Sequence, residues 1–347
     1  MKAIILEQHG NTEKLLYQEV AKPEVEAGEV LIKMHSIGIN RFDLLVRNGN
    51  VPNASVTFPH VLGVEGAGTI SEIGAGVTGF HIGDRVAPVL TISQGNCAEP
   101  VCYCMLGHDN ICAKFDKLGH TRWGTYAEYV KVNQFSILPL PDQVSFLDAA
   151  TSLVAYSTAW EMAKKVNLRP EDTVLINAVG GAVGSAALHI ARMTGCQIIG
   201  SAGKDNKLRR ARQDGAHFGI NYNDENLTVK VYEATDGRGV DVVLDGIGGT
   251  VLQQSLEALA YNGRLSSAGS IAPTEVLVDI RKHLVRKQIV MTGTHFTPKE
   301  SIKQILRLLA RGELRPVLAA RFPLSEARKA HELLESRDFY GNLILEI

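Results

Sequence analysis

The sequence predicts an α/β protein, a doubly wound parallel sheet joined to a second, β-rich domain. Three observations carry this reading. Between residues 173 and 268, short apolar runs alternate with stretches of helical spacing, a pattern that implies right-handed crossovers and a parallel sheet. A glycine-rich turn, Gly180-Gly181-Ala182-Val183-Gly184, follows the first of those runs. Before residue 141 the chain consists instead of short strands punctuated by Gly and Pro, as in an irregular barrel or sandwich. A length of 347 residues suits two domains of about 100–150 residues or somewhat more, and a hydrophobic content of 45% supplies their cores.

The elements follow in order. Met1-Lys2-Ala3-Ile4-Ile5-Leu6 gives way at once to Glu7 and Gln8. It is too short for a secretory h-region of roughly 7–15 apolar residues and is expected to be the first strand. Further strands are predicted at 30–34 and at 66–74, the latter kinked by glycine, and Gly83-Asp84 turns into another. At Pro139-Leu140-Pro141-Asp142 the texture changes, and 145–165 has the spacing of one helix. Strands are predicted at 173–178, 197–201, 218–221, 240–244 and 263–268, with helices at 184–193, 206–214, 227–235 and 250–259 between them. Beyond Pro298 come helices at 302–311 and 325–335 and a last strand at 342–346. Residues 173–191 lack Asp, Glu, Lys and Arg, but Asn177, His189 and three glycines in one turn suit a buried strand, turn and helix better than a membrane span.

Charge excludes several partners. With 36 Lys and Arg against 37 Asp and Glu, the net charge is -1, which argues against nucleic acid or an anionic membrane. A cytoplasmic protein acting on a small molecule is expected. Five cysteines are too few for a secreted disulfide scaffold, yet Cys97, Cys102, Cys104 and Cys112 cluster while Cys196 stands apart.

The glycine turn offers backbone N–H groups and a positive helix end to a phosphate. Val179 takes the first position of the G-x-G-x-x-G pattern, while Gly181 and Gly184 match the other two; Ala182 and Val183 lie between them. An adenine ribose with a free 2′-hydroxyl is usually held by an acid ending the second strand. Here that strand ends Gly200-Ser201-Ala202-Gly203, with no acid before Asp205, and Lys204, Lys207, Arg209, Arg210 and Arg212 follow. Small residues there leave room for a 2′-phosphate and Lys204 offers it a charge, so NADPH is the expected cofactor.

Several motifs together resemble the medium-chain dehydrogenase/reductase superfamily. They are Gly38-Ile39-Asn40-Arg41-Phe42-Asp43, Leu62-Gly63-Val64-Glu65-Gly66-Ala67-Gly68, Gly83-Asp84-Arg85-Val86 and Gly124-Thr125-Tyr126-Ala127-Glu128-Tyr129-Val130, then the glycine turn, Asp241-Val242-Val243-Leu244-Asp245 and Gly263-Arg264-Leu265. The likeness runs end to end and is strongest to the quinone oxidoreductase and enoyl reductase branch that lacks catalytic zinc. It implies a GroES-like catalytic domain from residues 1–140 and 297–347 around a Rossmann NADP-binding domain at 141–296. It implies that Lys207 and Tyr222 surround the adenosine 2′-phosphate and that Ser157 and Thr158 line the nicotinamide pocket. It also implies a homodimer, since Arg286-Lys287-Gln288-Ile289-Val290-Met291-Thr292-Gly293 resembles the strand that pairs across the dimer.

The zinc enzymes of the superfamily hold catalytic zinc with a cysteine, a histidine and a further cysteine or acid. Asn40 and Val64 stand at the first two of those positions and Ser152 or Leu153 near the third, a set too poor in donors for a tight zinc site. Without a Lewis acid, a quinone or α,β-unsaturated carbonyl is the better hydride acceptor, because the charge delocalises into an enolate that hydrogen bonds can hold. Asn40 is the candidate donor or orienting group; Asp43 is a candidate for orienting its neighbours or for starting a helix. The four clustered cysteines resemble the structural zinc lobe of the relatives, C-x2-C-x2-C-x7-C, with the last gap kept and the first two redistributed, so a structural zinc is expected on Cys97, Cys102, Cys104 and Cys112. The alternatives are a zinc-type alcohol dehydrogenase with displaced ligands and a non-catalytic NADPH-binding protein.

Overall fold

A computed structural model of the chain describes residues 1–51, 56–92, 103–112, 116–269 and 275–347. In chain order the elements are β1 (Lys2–Leu6), β2 (Leu15–Glu19), β3 (Glu29–Ile39), α1 (Arg41–Asn48), β4 (His60–Val61), β5 (Glu65–Ile73), β6 (Arg85–Pro88), β7 (Thr91–Ile92), β8 (Asp116–Lys117), β9 (Tyr129–Asn133) and β10 (Ile137–Pro139). Then come α2 (Phe146–Ala150), α3 (Ala155–Lys165), β11 (Thr173–Ile176), α4 (Ala182–Thr194), β12 (Gln197–Ala202), α5 (Asp205–Asp214), β13 (Phe218–Asn221), α6 (Leu227–Ala234), β14 (Val240–Asp245), α7 (Gly249–Glu257) and β15 (Leu259–Ser267). The chain ends with β16 (Val290–Gly293), α8 (Lys299–Ala310), β17 (Leu318–Pro323), α9 (Ala327–Ser336) and β18 (Asn342–Glu346). Two compact units result: Met1–Val154 with Phe296–Asp338 and Asn342–Ile347, and Ala155–His295 with Phe339–Gly341.

In the first unit, β10-β6-β5-β3-β18-β17 form one sheet onto which β9 also pairs, and β2-β1-β4 form another. The C-terminal strand β18 lies antiparallel to β3, with Ile344 opposite Gly38. On its other edge β3 pairs with β5, Gly38 opposite Glu65. A Cβ at Gly38 would fall 2.3 Å from the Glu65 carboxylate and 2.3 Å from the Ala150 carbonyl. That crossing point therefore requires glycine.

The single helix expected at 145–165 is two helices. Ser145 caps α2 by accepting the Asp148 N–H at 2.9 Å. At the other end the Thr151 and Ser152 hydroxyls donate back to the Leu147 and Asp148 carbonyls at 2.6 and 2.5 Å, and such back-bonding bends or ends a helix. The Val154 N–H then leaves the helical ladder for the Glu65 carboxylate at 2.7 Å.

The second unit is a parallel sheet in the order β13-β12-β11-β14-β15-β16, third-second-first-fourth-fifth-sixth as in a Rossmann sheet. Its strands read as unbroken apolar runs because both faces are covered. Leu175, Ile199, Val243 and Leu265 are all within 1% of complete burial, and each such side chain contributes about 1.5–3 kcal/mol through burial. β16 is the edge strand, paired with β15. Among the described residues no helix is long and apolar enough to cross a membrane.

Candidate functional site

The glycine turn lies where β11 hands over to α4. Gly181 is the N-cap of α4 and has extended backbone. Among the described residues a Cβ there would meet only the Ala178 carbonyl, at 3.4 Å, which leaves the side of Gly181 open to an approaching group. Gly184 is the opposite case: its Cβ would lie 2.1 Å from the Ala178 carbonyl oxygen and 2.8 Å from the Val179 Cα. Val179, which breaks the motif, is fully buried and packs over Gly200 of β12, where a Cβ would meet its methyls at 3.1 Å. Ala182 and Val183 are half-buried in the first turn of α4. Thirteen residues of α4 aim their dipole at this turn, a ready anion site.

Beyond β12 the next helix begins with cations. Lys204 caps α5 and Lys207 occupies its third position, although a helix N-terminus disfavours positive charge. The only acid in that turn, Asp205, accepts the Asn221 amide at 2.8 Å. Tyr222 packs beside Gly203, where a Cβ would meet its ring at 3.1 Å. These residues fit a nucleotide phosphate. Ser201 is placed differently: it is fully buried, its hydroxyl donates to Asn177 Oδ1 at 2.8 Å and its carbonyl receives the Val179 N–H at 2.9 Å, so it braces the turn from behind. Asn177 in turn donates to Asp245 and Ser255, both at 2.9 Å, locking β11 to β14 and α7. Burial pushes the Asp245 carboxyl up. The sequence signal for this lock is a lone polar residue ending each of two apolar strands. Ser157 is fully buried on α3 and Thr158 half-buried.

In the first unit Asn40 is the N-cap of α1. Its amide donates to Glu65 Oε1 at 2.6 Å, and its backbone N–H is received by Asp43 Oδ2 at 2.8 Å, the return half of a capping box. Asn40 and Asp43 are thus brought together, with Glu65 as the third member. Both carboxyls are almost wholly buried. Burial pushes Asp43 up to about 7; burial first and the Asp43 charge next push Glu65 up to about 8. Glu65 is therefore a neutral acid at pH 7.

Behind Asp43 runs a buried chain that the sequence did not disclose. Arg47, fully buried, has donors only, so the 3.0 Å contact from its Nη1 to His331 Nδ1 makes Nδ1 the acceptor. The His331 proton then sits on Nε2 and is donated to Tyr126 Oη at 3.0 Å. The Tyr126 hydroxyl in turn donates a hydrogen bond to Asp43 Oδ2 at 3.1 Å. Burial, and then Arg47, push His331 down to about 3, so the ring stays neutral and the direction of the chain is set. Arg47 is paired at its outer end with the half-exposed Glu335.

Other histidines lie outside this hydrogen-bonded chain. His120 and His60 are buried, and among the described residues both His120 nitrogens and His60 Nε2 lack a hydrogen-bond partner. Burial, reinforced by Lys117 and His60, pushes His120 down to about 4. Its ring meets Phe42 edge-on at 5.5 Å. His295 and His108 are exposed. Trp123 donates to the Pro59 carbonyl at 2.9 Å. Cys97 and Cys102 lie outside the described residues; Cys104 is half-buried and Cys112 buried. Among the described residues no three His, Cys, Asp or Glu side chains are grouped as a metal site would need.

Two family models match this chain: the alcohol dehydrogenase GroES-like domain over residues 26–142 and the zinc-binding dehydrogenase over residues 182–311. A crystal structure of an NAD-dependent alcohol dehydrogenase superposes with a TM-score of 0.92 at 34% identity, covering 100% of each chain. The chain belongs to the medium-chain dehydrogenase/reductase superfamily. Its relatives carry the names of both alcohol dehydrogenases and quinone oxidoreductases. The acryloyl-coenzyme A reductase of Metallosphaera sedula is 29% identical over 348 residues, 99% of either chain. The Escherichia coli quinone oxidoreductase, solved with NADPH, has a TM-score of 0.83 at 27% identity and covers 100% of each chain. As a medium-chain dehydrogenase/reductase the protein is an oxidoreductase, built from a GroES-like unit and a Rossmann-like parallel sheet.

Proposed function

We propose that the protein is an NADPH-dependent reductase that transfers hydride to a quinone or an α,β-unsaturated carbonyl without catalytic zinc. The observation that carries this reading is the Asn40–Glu65 pair at 2.6 Å, an amide bonded to a buried acid where the zinc relatives place metal ligands. Asn40, Val64 and the 152–153 segment offer no thiolate or imidazole, and Glu65 alone does not make a tight zinc site. The relatives carry names with either nicotinamide nucleotide, so the choice of NADPH rests on this chain's own residues. Lys204 and Lys207 begin α5, and Asp205 is engaged by Asn221.

The turn from Gly181 to Gly184 would hold the pyrophosphate, Lys204, Lys207 and Tyr222 the 2′-phosphate, and Ser157 and Thr158 the nicotinamide end. The bound nucleotide supplies the hydride. Asn40 would donate a hydrogen bond to the substrate oxygen as negative charge develops there, and loss of such a donor costs about 100- to 1000-fold in kcat. Asp43, fastened by Tyr126 and the Asn40 backbone, keeps the cap rigid, making it a positioning residue. Solvent would return the proton. The edge strand β16 is proposed as the dimer contact, Cys97, Cys102, Cys104 and Cys112 as ligands of one structural zinc, and the cytoplasm as the location.

The test is the initial rate of NADPH and NADH oxidation with a panel of enones and quinones. Turnover that favours NADPH is expected, and inactivity on every acceptor would overturn the reading. A pH profile probes the site itself. Below pH about 8 Glu65 is neutral; above it, an anion beside Asn40 opposes the charge building on the substrate oxygen. The kcat/KM is therefore expected to fall as pH rises through about 8. In Glu65→Gln, which keeps the shape without the titration, that alkaline fall should vanish. A fall that persists in the variant would assign it to another group.

A further inference from the structure

Lys207 is held in place from two sides by residues far from it in sequence. Beneath its stem lies Gly180, where a Cβ would stand 2.6 Å from Lys207 Cδ, 2.9 Å from its Cβ and 3.0 Å from its Cγ. Glycine at 180 thus leaves a channel filled by the lysine stem itself. This gives that glycine a different duty from Gly181, whose side is open, and from Gly184, whose side abuts backbone. At the far end, the Lys207 ammonium lies 5.5 Å from the centre of the Phe339 ring. Phe339 belongs to a three-residue segment, Phe339–Gly341, that packs with the second unit although its flanks pack with the first. The segment is tied to the turn through the Gly341 N–H, which donates to the Gly180 carbonyl at 3.2 Å. Its middle residue, Tyr340, lies 5.9 Å from the Arg210 guanidinium.

Cation–ring contacts and a lysine stem laid on glycine both reduce the rotamer freedom of a side chain that otherwise has much to lose on binding. A lysine ordered before the ligand arrives binds phosphate more tightly than one that must be ordered by it. We propose that Phe339 and Gly180 form a clamp that pre-sets the Lys207 ammonium for the 2′-phosphate, so that the C-terminal segment 339–341 is a determinant of the preference for NADPH over NADH. This rests on the reading of the cofactor as NADPH. Phe339 and Gly180 are positioning residues, acting through Lys207.

The test is calorimetric binding of two nucleotide fragments, 2′,5′-ADP and 5′-AMP, to the full-length protein, which isolates the 2′-phosphate from turnover. Lys207→Ala is expected to lower the ratio of the two affinities roughly 10- to 100-fold, the range for a charge-assisted hydrogen bond. Phe339→Leu should lower it roughly fivefold, in the range of a partly desolvated cation–ring contact, and Phe339→Tyr should restore it. Gly180→Ala, whose new methyl would crowd Lys207 from Cδ back to Cβ, should lower it roughly tenfold through loss of the same charge-assisted contact. Retained 5′-AMP binding reports an intact fold in each variant. A lowered ratio in Lys207→Ala with wild-type ratios in Phe339→Leu and Gly180→Ala would overturn the clamp alone. An unchanged ratio in Lys207→Ala would overturn both the clamp and the NADPH reading beneath it.

Discussion

Alanine at position 184 is expected to abolish nucleotide binding and to lower the stability of the second unit by about 1–3 kcal/mol, the cost of overpacking a filled site. The added methyl would lie 2.1 Å from the Ala178 carbonyl oxygen, 2.7 Å from its carbon and 2.8 Å from the Val179 Cα. All three are backbone atoms of the turn, so relief requires that β11 and α4 move apart. Ala178 has little freedom to yield, being already left-handed at φ 52, a conformation that costs a non-glycine residue about 1–2 kcal/mol. Gly181→Ala is the control. Its methyl has 3.4 Å to its nearest neighbour, so stability should hold while the open side of the turn, where a phosphate would approach, becomes obstructed. Thermal unfolding followed by circular dichroism, together with NADPH titration by fluorescence, separates the two. Equal loss of stability in both variants would contradict this division of labour.

The second large effect is expected from Arg47→Met, which keeps the length of the side chain and removes its charge. A loss of roughly 3–5 kcal/mol is expected, as for removal of one partner from a buried charged network. The fully buried guanidinium donates to the Gly10 carbonyl at 3.1 Å, to Asn48 Oδ1 at 3.2 and 3.0 Å, and to His331 Nδ1 at 3.0 Å. Its removal takes these donors away from the acceptors. It also releases the constraint that sets the His331 tautomer, so the order passed along Tyr126 to Asp43 and Asn40 is lost with it. Arg47→Lys keeps a charge but not the planar fork and should fall between wild type and Met. Denaturant unfolding measures the series. A Met variant as stable as wild type would show that the charge is buried at no net benefit, as some buried ion pairs are.

The legible part of this molecule is what rests on local periodicity. The alternation of apolar runs and helices is local, so five of the six parallel strands could be anticipated from it, and the glycine turn falls at the first of them. Asn40 and Asp43 are three residues apart and form a cap, a relation written in short-range spacing. The illegible part depends on the return of the chain. Arg47 and His331 are 284 positions apart, and nothing in either neighbourhood marks them as partners. Phe339 meets Lys207 only because three residues of a C-terminal segment pack with the second unit. The break between α2 and α3 escaped because the residues 151–154 retain helical spacing; hydroxyls bonding back to carbonyls and the demand of Glu65 for the Val154 N–H end the helix there. Nothing next to Glu65 in the sequence marks it as a partner of Asn40, and only its burial beside Asn40 shows that its carboxyl is pushed up.

The central claim is hydride transfer without a catalytic metal. The measurement that tests it most directly is the steady-state rate of NADPH oxidation with an α,β-unsaturated ketone and a quinone, before and after exhaustive dialysis of the folded protein against a chelator, with zinc content determined on the same samples. The same kcat/KM is expected in the stripped protein wherever its fold is retained, with no gain on adding zinc back. Loss of that activity on stripping from a protein that stays folded, with its return on zinc addition together with oxidation of a simple alcohol, would contradict it.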